Sequence, residues 1–516
     1  MNKNTKKKLQ NWLNNSSLFN YFSMQVVGKK RLADLERNST QLDLRRDFKR
    51  PLFNLKNLFP VNTLWINDRN VWPMLRFWVW RYLRAVKEGK PNPKLNPLRM
   101  QISNVWRQYY RQRKIAKEIQ EVEECPVDFL FFVNQNGVEQ TTINDALYNR
   151  ISDPVFECAQ ELGKATKIEI IKNNSILNQN RICETQFILP PQHRKIGWSE
   201  DVKYWVDFIE RLNLELQIKN GKQQLEQAVE HYFHGIETYG RILDKCQPKV
   251  IFFVGFEFHQ DLICAARERG IISVDLQHGN QTGWGPLYKW WEEMPDEGYS
   301  SLPDIFWTWG ERDLQHLMSS IPSTRHMPII GGNLWLSRQK ELLSDYSSVE
   351  IEKYIVGKSV YLVSLQNHSQ INPTLKQIIY SSPDDVVWLI REHPKLKANV
   401  DELRSQSNCY VGGAVNDAPL CYLLGLTDLH FTGSSSVVVE CCAEGIPSIV
   451  LDEDGFSNFQ DIVDEKSVSF LASVPAFHNR GGWQWLRSIQ GRGLPNNFVV
   501  STERSTALKA LKSIIS

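Results

Sequence analysis

Three consecutive hydroxyl side chains, Ser434, Ser435 and Ser436, follow a short apolar run and a single glycine. An apolar stretch that ends at Gly445 comes next, and this order predicts a buried strand, a turn and a short helix. The first N–H groups of a helix are free to bind an anion, and the helix dipole favours negative charge at that end. The serines are therefore a candidate phosphate site, and simple capping of the helix is the alternative interpretation.

Glu440 lies four residues after Ser436, so the two side chains share one face of the predicted helix, about one turn or roughly 6 Å apart. A carboxylate at that place can accept hydrogen bonds from the two hydroxyls of a ribose. A solvated carboxylate without a ligand is the alternative. Together with the serines, Glu440 indicates a nucleotide site.

A second group of polar residues ends the predicted strand in DVVWLIREHP. Pro394 stops this strand where the side chain of His393 would point beyond the sheet, and Arg391, two residues earlier, lies on the same side. An imidazole and a guanidinium directed at the serine turn can hold a diphosphate or a nucleoside monophosphate leaving group. A purely structural histidine is the alternative for His393.

Two residues earlier in the chain are candidate bases. His278 ends the segment ISVDLQHG and is expected in the crevice beyond the sheet, where a neutral imidazole can remove a proton from an acceptor hydroxyl. Glu257, at the end of the preceding strand KVIFFVGFE, is the rival base. The alternative for His278 is that it only holds its loop in place.

Buried strands alternate with helices from Val127 onwards, which predicts right-handed crossovers and parallel sheets. We expect an α/β protein with two Rossmann-like, doubly wound domains facing a cleft, an acceptor domain at 121–345 and a donor domain at 346–516. Residues 1–120 show no strand pattern and are expected to form a basic, aromatic-rich and mainly helical extension. The polar segment NQNGVEQTTIND after the first strand is expected to be a loop.

The formal charge of +3 conceals an uneven distribution, because residues 1–120 contain 26 Lys and Arg against 7 Asp and Glu, and the rest contains 35 against 51. Basic residues beside tryptophans suit a membrane surface, an anionic glycan or nucleic acid. No nucleic-acid module pattern is present, so nucleic acid is not an expected partner. Packing of these aromatic side chains on the body of the protein is the alternative interpretation.

Nine cysteines, mostly in apolar runs, predict reduced core thiols and a cytoplasmic protein. The lysine-rich start continues into polar residues, so no signal peptide is expected. The longest apolar candidate for a membrane span, residues 71–83, is short and is interrupted by Arg76 and Arg81. No cluster of histidines, cysteines and carboxylates has metal-ligand spacing, and no metal or cofactor is expected beyond a nucleotide-sugar co-substrate.

The pair His393 and Pro394, followed by Ser434, Ser435, Ser436 and Glu440, resembles the HP and SS motifs of bacterial glycosyltransferases that build surface and capsular polysaccharides. This group includes sialyltransferases, polysialyltransferases, capsule Kdo transferases and polyol-phosphate transferases. The resemblance covers roughly residues 250–465 and includes the QHG sequence around His278, which is similar to surface-polysaccharide glycosyltransferases. It implies a GT-B fold and assigns the phosphate of a CMP or CDP donor to the histidine and the serines.

The implied function is transfer of a sugar from a nucleotide-activated donor, with a CMP-sugar favoured, to a growing bacterial surface polysaccharide or lipid-linked glycan. A metal-independent enzyme at the cytoplasmic face of the inner membrane is expected. The alternatives are a phosphotransferase for CDP-glycerol or CDP-ribitol and a non-catalytic glycan-binding protein on the same fold. Sialyltransferases take their base from an acidic motif ending in glycine, and the first domain offers only Asp296-Glu297-Gly298 for it, which puts sialic acid in doubt.

Overall fold

The computed structural model describes residues 62, 64–87, 122, 124, 126–134, 139–171, 179–191, 221–281, 287–289, 291, 294–366, 371–393, 399–463 and 467–516. Two parallel β-sheets, each with hydrophobic packing on both faces, dominate this part of the chain. The predicted fold class, two Rossmann-like α/β domains, is confirmed.

The described part of the N-terminal extension begins with a short hairpin, β1 (Trp65–Ile66) and β2 (Arg69–Asn70), and continues with helix α1 (Trp72–Lys87). Asn67 and Asp68 turn the hairpin with φ angles of 46° and 60°, a left-handed conformation that Asn and Asp tolerate. The sequence shows no strand pattern here, because strands of two residues are too short to produce an alternating pattern.

Helix α1 packs into the core of the first domain. Trp72, Leu75 and Trp78 are buried there, and the guanidinium of Arg76 lies 3.8 Å from the ring centroid of Trp291. A cation over an indole face keeps a favourable partner when it is buried. Packing of the aromatic residues on the body of the protein therefore holds for this helix. Among the described helices, none combines the length and the apolar character needed to cross a bilayer.

The strands of the first domain are mostly apolar runs buried on both faces, which is typical of a parallel sheet. The strands are β3 (Phe129–Asn134), β4 (Gln140–Ile143), β5 (Ala146–Asn149), β6 (Ala165–Ile170), β7 (Asn180–Arg181), β8 (Gln186–Ile188), β9 (Val250–Val254), β10 (Ile272–Leu276), β11 (Ile305–Thr308) and β12 (Met327–Ile330). Seven of them form the main parallel sheet in the order β12-β11-β10-β9-β3-β6-β8. The helices are α2 (Asp153–Gln160), α3 (Gly221–Cys246), α4 (Gln260–Arg267), α5 (Glu311–Ser320) and α6 (Trp335–Leu342).

Strands β4, β5 and β7 form a small separate sheet where a loop was expected. The hairpin between β4 and β5 turns at Asn144 and Asp145, whose φ angles are 48° and 61°. Two consecutive residues with positive φ match the right-handed twist of the flanking strands. The Asn-Asp pair after Thr141, Thr142 and Ile143 was the sequence signal that this loop prediction overlooked.

The second domain contains a six-stranded parallel sheet in the order β15-β14-β13-β16-β17-β18. Its strands are β13 (Ser359–Ser364), β14 (Val386–Arg391), β15 (Cys409–Val411), β16 (Leu429–Thr432), β17 (Ser448–Val450) and β18 (Val468–Phe470). Its helices are α7 (Val349–Ile355), α8 (Pro373–Tyr380), α9 (Asp401–Arg404), α10 (Gly413–Asp417), α11 (Leu420–Leu426), α12 (Val437–Glu444), α13 (Glu453–Phe459), α14 (Val474–Asn479) and α15 (Trp483–Ile489).

The C-terminal segment returns from the second domain to the first. Asn496 N donates to Cys442 O of helix α12 at 2.9 Å, and Ser501 N donates to Trp309 O of the first domain at 2.8 Å. The last helix, α16 (Arg504–Ile515), packs in one hydrophobic cluster with Phe129 and other residues of the first sheet. The predicted range 346–516 therefore includes a helix that packs with the other domain, because its apolar face is covered there.

Candidate functional site

The serine turn follows strand β16, as the sequence predicted, and Ser436 is the residue that precedes helix α12. Gly445 ends this helix in the left-handed conformation, with a φ of 66°. In the sheet, Ser364 of the central strand β13 is aligned with Arg391 on one side and Thr432 on the other. Neighbouring strands lie about 4.8 Å apart, so Arg391 and the start of the serine turn are about 10 Å apart along the carboxyl edge.

The three serines have different surroundings. Ser434 donates both its backbone N–H and its hydroxyl to Gln366 Oε1, at 2.7 and 2.8 Å. The hydroxyl oxygen of Ser435 accepts from Val437 N at 3.4 Å, which is a weak capping bond. Ser436 is exposed and makes no capping bond with its side chain. An anion would therefore meet Ser436 first, while Gln366 holds the turn in shape from the end of the neighbouring strand.

Two glycines allow the serine turn to lie against the next strand-to-helix connection. A Cβ atom on Gly455 would overlap the carbonyl oxygen of Gly433. A Cβ atom on Gly433 would in turn overlap the carboxylate of Asp452. Asp452 caps helix α13, accepting from Gly455 N at 2.7 Å. The acidic segment 452–455 thus packs closely against the backbone of the serine turn.

The charges of Glu440 and Arg391 act on each other's pKa. Burial raises the pKa of Glu440, and the positive charges of Arg150 and Arg391 act in the opposite direction. Burial also lowers the pKa of Arg391. The negative charge of Glu440 raises that pKa, and the positive charge of Arg150 lowers it further. Arg391 Nη1 donates to Ala418 O at 2.7 Å, which fixes one end of its guanidinium. The positive charges of Arg391 and Arg150 and the negative charge of Glu444 therefore all act on the carboxyl of Glu440.

Arg150 belongs to the first domain, whereas Glu440 and Arg391 belong to the second. Arg150 follows strand β5 directly, and its backbone N–H donates to Glu139 O at 2.8 Å, closing the open end of the β4–β5 hairpin. Glu139 in turn acts on His278, because its negative charge raises the pKa of that imidazole. One hairpin therefore carries an arginine whose charge acts on residues of the second domain and a carboxylate whose charge acts on the candidate base. The sequence interpretation missed both residues.

His278 lies beyond the carboxyl end of strand β10, as predicted. Burial lowers the pKa of its imidazole, and Glu139 opposes that shift. The residue as a whole is nevertheless exposed to solvent. Its neighbour Gln277 is fully engaged, with Nε2 donating to Asp313 Oδ2 at 2.8 Å and Oε1 accepting from Trp309 N at 2.6 Å. Gln277 therefore holds the loop, and His278 is left as the neutral, accessible group.

Glu257 lies beyond the end of β9, the strand next to β10. Burial raises the pKa of its half-buried carboxyl to about 7. Its Oε2 atom is shielded from water and has no hydrogen-bond partner among the described residues. The turn before it is held by Asp275, whose Oδ1 accepts from Gly255 N at 2.9 Å, and Gly255 has a φ of 77°. A carboxyl whose pKa lies near neutral pH has the properties of a general base.

His393 follows strand β14 and is half-buried at the carboxyl edge. The backbone of Glu392 beside it is fixed because Glu392 N donates to Asn416 Oδ1 at 2.9 Å. Pro394 lies outside the described residues, so the predicted end of the strand at this proline stays a prediction. His430 is the contrasting case, because it is buried in strand β16 between Ser448 and Ser364, each 3.1 Å away. Burial lowers the pKa of His430 to about 3, so it is a neutral core histidine.

The loop that carries His278 also contacts the second domain. Asn280 Nδ2 donates to Asn458 O at 3.3 Å, and Arg312 Nη2 donates to the same carbonyl at 2.6 Å. Trp309 and Leu336 pack in one hydrophobic cluster with Val438, Val439 and Cys442 of helix α12. Helix α12, which follows the serines, and the loop of His278 therefore both lie at the interface between the two domains.

Asp296-Glu297-Gly298 lies at the opposite edge of the first sheet. Tyr299 N, directly after this segment, donates to His326 Nε2 at 3.0 Å, and His326 precedes strand β12 at its amino end. The carboxyl ends of the strands, where His278 and Glu257 lie, are on the other side of the sheet. This acidic segment is therefore remote from the candidate site. In the described part of the chain, no group of three or more His, Cys, Asp or Glu side chains is arranged to hold a metal ion.

Two parallel α/β domains that meet at the carboxyl edges of their sheets define a GT-B architecture. No protein-family model and no curated protein sequence matches this chain. Solved structures that resemble it include the UDP-GlcNAc 2-epimerase from Neisseria meningitidis bound to UDP-GlcNAc, at 13% identity over 75% of this chain and 99% of that chain, with a TM-score of 0.48. The glycotransferase of kitacinnamycin has 12% identity over 76% of this chain and 95% of that chain, with a TM-score of 0.43. At these values the substrates of those proteins are not carried over to this chain.

Proposed function

We propose that this protein is a glycosyltransferase that moves a sugar from a nucleotide-activated donor, with a CMP-sugar favoured, to a growing bacterial surface polysaccharide or lipid-linked glycan. The observation that carries the proposal is the electrostatic group of Arg150 from the first domain with Arg391 and Glu440 from the second. The two guanidinium groups bring positive charge near the N-terminus of helix α12. Such a place attracts a phosphate between the two domains.

The donor phosphate would lie at the start of helix α12. Ser436 offers an exposed hydroxyl there, and Arg391 and His393 end the strand two positions away in the sheet. Arg150 would reach the same phosphate from the opposite domain. Glu440 is the proposed partner of the ribose hydroxyls.

The transfer step follows from the positions of the two candidate bases. An acceptor hydroxyl attacks the anomeric carbon of the donor sugar, the bond from that carbon to the phosphate oxygen breaks, and the nucleotide leaves with the bonding electron pair. The hydroxyl proton passes to Glu257 or His278. The cations at the phosphate stabilise the charge that develops on the leaving group. Closure of the domains brings Arg150 to the phosphate and reduces access of water to the bond that breaks.

Thermal-shift measurements with CMP, CDP, UDP and GDP test this proposal most directly. We expect CMP to raise the unfolding temperature most, because ligand binding to the folded state stabilises it by mass action. Ser436→Ala should reduce the shift, and Ser488→Ala, which alters an exposed serine on helix α15, is the matched control. If none of the four nucleotides changes the unfolding temperature, a non-catalytic glycan-binding protein becomes the better interpretation.

Analysis of the polymer product separates sugar transfer from polyol-phosphate transfer. Both reactions can use a cytidine nucleotide as leaving group, so nucleotide binding does not distinguish them. Sugar transfer creates a glycosidic bond and leaves no phosphorus in the product. A phosphodiester in the product, detected by phosphorus NMR, would contradict the proposed glycosyltransferase.

A further inference from the structure

An exposed aromatic side chain lies directly beside one of the candidate bases. Phe258 follows Glu257 in the short 3-10 helix Phe256–Phe258. Phe256 is buried in the core, whereas Phe258 keeps 60% of its surface exposed. Large exposed apolar side chains at the edge of a binding crevice are candidates for ligand contact.

Helix α1 adds a second ring and a cation to this surface. The ring centroids of Phe77 and Phe258 are 5.3 Å apart with an interplanar angle of 88°, an edge-to-face contact. One helical turn later, Arg81 lies with its guanidinium carbon 5.6 Å from the centroid of Phe77. Arg81 is exposed and forms no ion pair with a described residue. Phe258, Phe77 and Arg81 are called the aromatic platform below.

The aromatic platform is small and lies next to Glu257, the candidate base that would accept a proton from an acceptor hydroxyl. A stable protein partner buries about 800 Å² on each side, which two phenyl rings and a guanidinium do not provide. A lipid chain would favour a longer uncharged surface than one bounded by Glu257 and Arg81. The C–H face of a sugar ring packs on an aromatic ring, and its hydroxyls remain free to reach a carboxylate.

We propose that the aromatic platform binds the acceptor sugar and that this sugar, or its neighbour in the glycan, carries an acidic group. The sugar ring packs on Phe258, one hydroxyl points to Glu257, and the acidic group pairs with Arg81. This inference rests on the proposed function, which supplies a glycan as the acceptor. It adds that the acceptor is an acidic saccharide. Arg81 gives the preference for negative charge because guanidinium groups bind carboxylates through paired hydrogen bonds.

Binding to an array of acidic and neutral oligosaccharides tests the proposal with the full-length protein. We expect binding to acidic glycans over neutral ones in the wild type. Phe258→Ala should weaken that binding by about fivefold to tenfold, through loss of the aromatic contact. Arg81→Gln should reduce binding of acidic glycans by about threefold to tenfold and leave neutral glycans unchanged. Phe498→Ala, at a phenylalanine that is 42% exposed elsewhere, is the matched control and should bind as the wild type does.

Three results would overturn the platform: equal binding of acidic and neutral glycans, unchanged binding in Phe258→Ala, and absence of glycan binding in the wild type. Circular dichroism shows whether the Phe258→Ala and Arg81→Gln variants remain folded. The CMP-induced thermal shift, measured on the same variants, separates this proposal from the proposed function. If CMP causes no thermal shift in the wild type but the wild type still binds glycans, the proposed donor site is contradicted and the aromatic platform is not.

Discussion

The guanidinium of Arg312 in the first domain holds the carboxylate of Asp461 in the second with two hydrogen bonds, from Nε to Oδ2 at 2.6 Å and from Nη2 to Oδ1 at 2.7 Å. The Arg312 side chain is 1% exposed and that of Asp461 is 44% exposed. Arg312 also donates to Asn280, which lies in the loop of His278. This pair therefore couples the position of the candidate base to the second domain.

Arg312→Ala should destabilise the contact between the domains by about 2–4 kcal/mol, because it removes a buried cation together with its hydrogen bonds. Differential scanning calorimetry should show a lower unfolding temperature and separation of the transition into two. Arg487→Ala is the matched control, since Arg487 also binds its partner Asp385 twice, but both side chains are about half exposed. The control should change stability much less than Arg312→Ala does, because an ion pair exposed to solvent contributes little. Equal effects of the two substitutions would contradict the interdomain role.

The pH dependence of turnover should identify the base. A base acts in its deprotonated form, so activity should rise with pH and level off above the pKa of the group. Burial raises the pKa of Glu257 to about 7, whereas it lowers the pKa of His278 below its usual value. A rise in kcat/KM centred near pH 7 would indicate Glu257, and one centred below pH 6.5 would indicate His278. Glu257→Gln and His278→Ala, assayed over the same pH range, provide the cross-check.

Glu257 should also make the protein less stable at high pH. Its pKa is raised in the folded state, so the folded state holds this proton more tightly than the unfolded state does. That contribution to stability is complete below about pH 4.5 and is lost as the pH rises through about 7. Glu257→Gln should therefore raise the unfolding temperature relative to the wild type at pH 8 and have less effect at pH 5. An effect of equal size at both values would argue against a protonated Glu257.

His393→Ala and His430→Ala should separate a ligand-binding histidine from a core histidine. His393 is half-buried at the carboxyl edge, so its removal should weaken CMP binding and change the unfolding temperature little. His430 is buried and bonded on both ring nitrogens, so its removal leaves a cavity and unpaired serine hydroxyls. Scanning calorimetry should show a loss of about 2–4 kcal/mol for His430→Ala. Unfolding of the His393→Ala protein would instead favour a structural role for that residue.

Arg150→Ala should weaken nucleotide binding although it lies in the domain opposite the serine turn. A charge-assisted hydrogen bond contributes about 1.5–3 kcal/mol, which corresponds to roughly a tenfold to hundredfold loss of CMP affinity in titration calorimetry. Arg181→Ala, at an arginine of the adjoining strand β7 that binds Glu169 at 2.7 Å, is the control for general damage to the small sheet. The same affinity in Arg150→Ala and wild type would show that the donor does not use this residue.

The local order of elements and the serine turn could be predicted from the sequence because they depend on neighbours in the chain. Apolar runs gave the buried strands, and Gly445 gave the end of helix α12. Strand ends in a parallel sheet share one edge, which is why Arg391 and the serines could be placed together. The same reasoning did not distinguish Ser434, which is bonded to Gln366, from the exposed Ser436, because Gln366 lies on another strand.

What the sequence by itself determined was therefore the fold class and the candidate residues of each domain taken alone. The tertiary structure decided which residues of the two domains meet. Arg150 is 290 residues from Glu440 in the chain, and their interaction depends on the hairpin turn at Asn144 and on how the domains pack. Pairing of this kind leaves no local pattern, because its energy comes from charges brought together by folding rather than from the conformational preferences of adjacent residues.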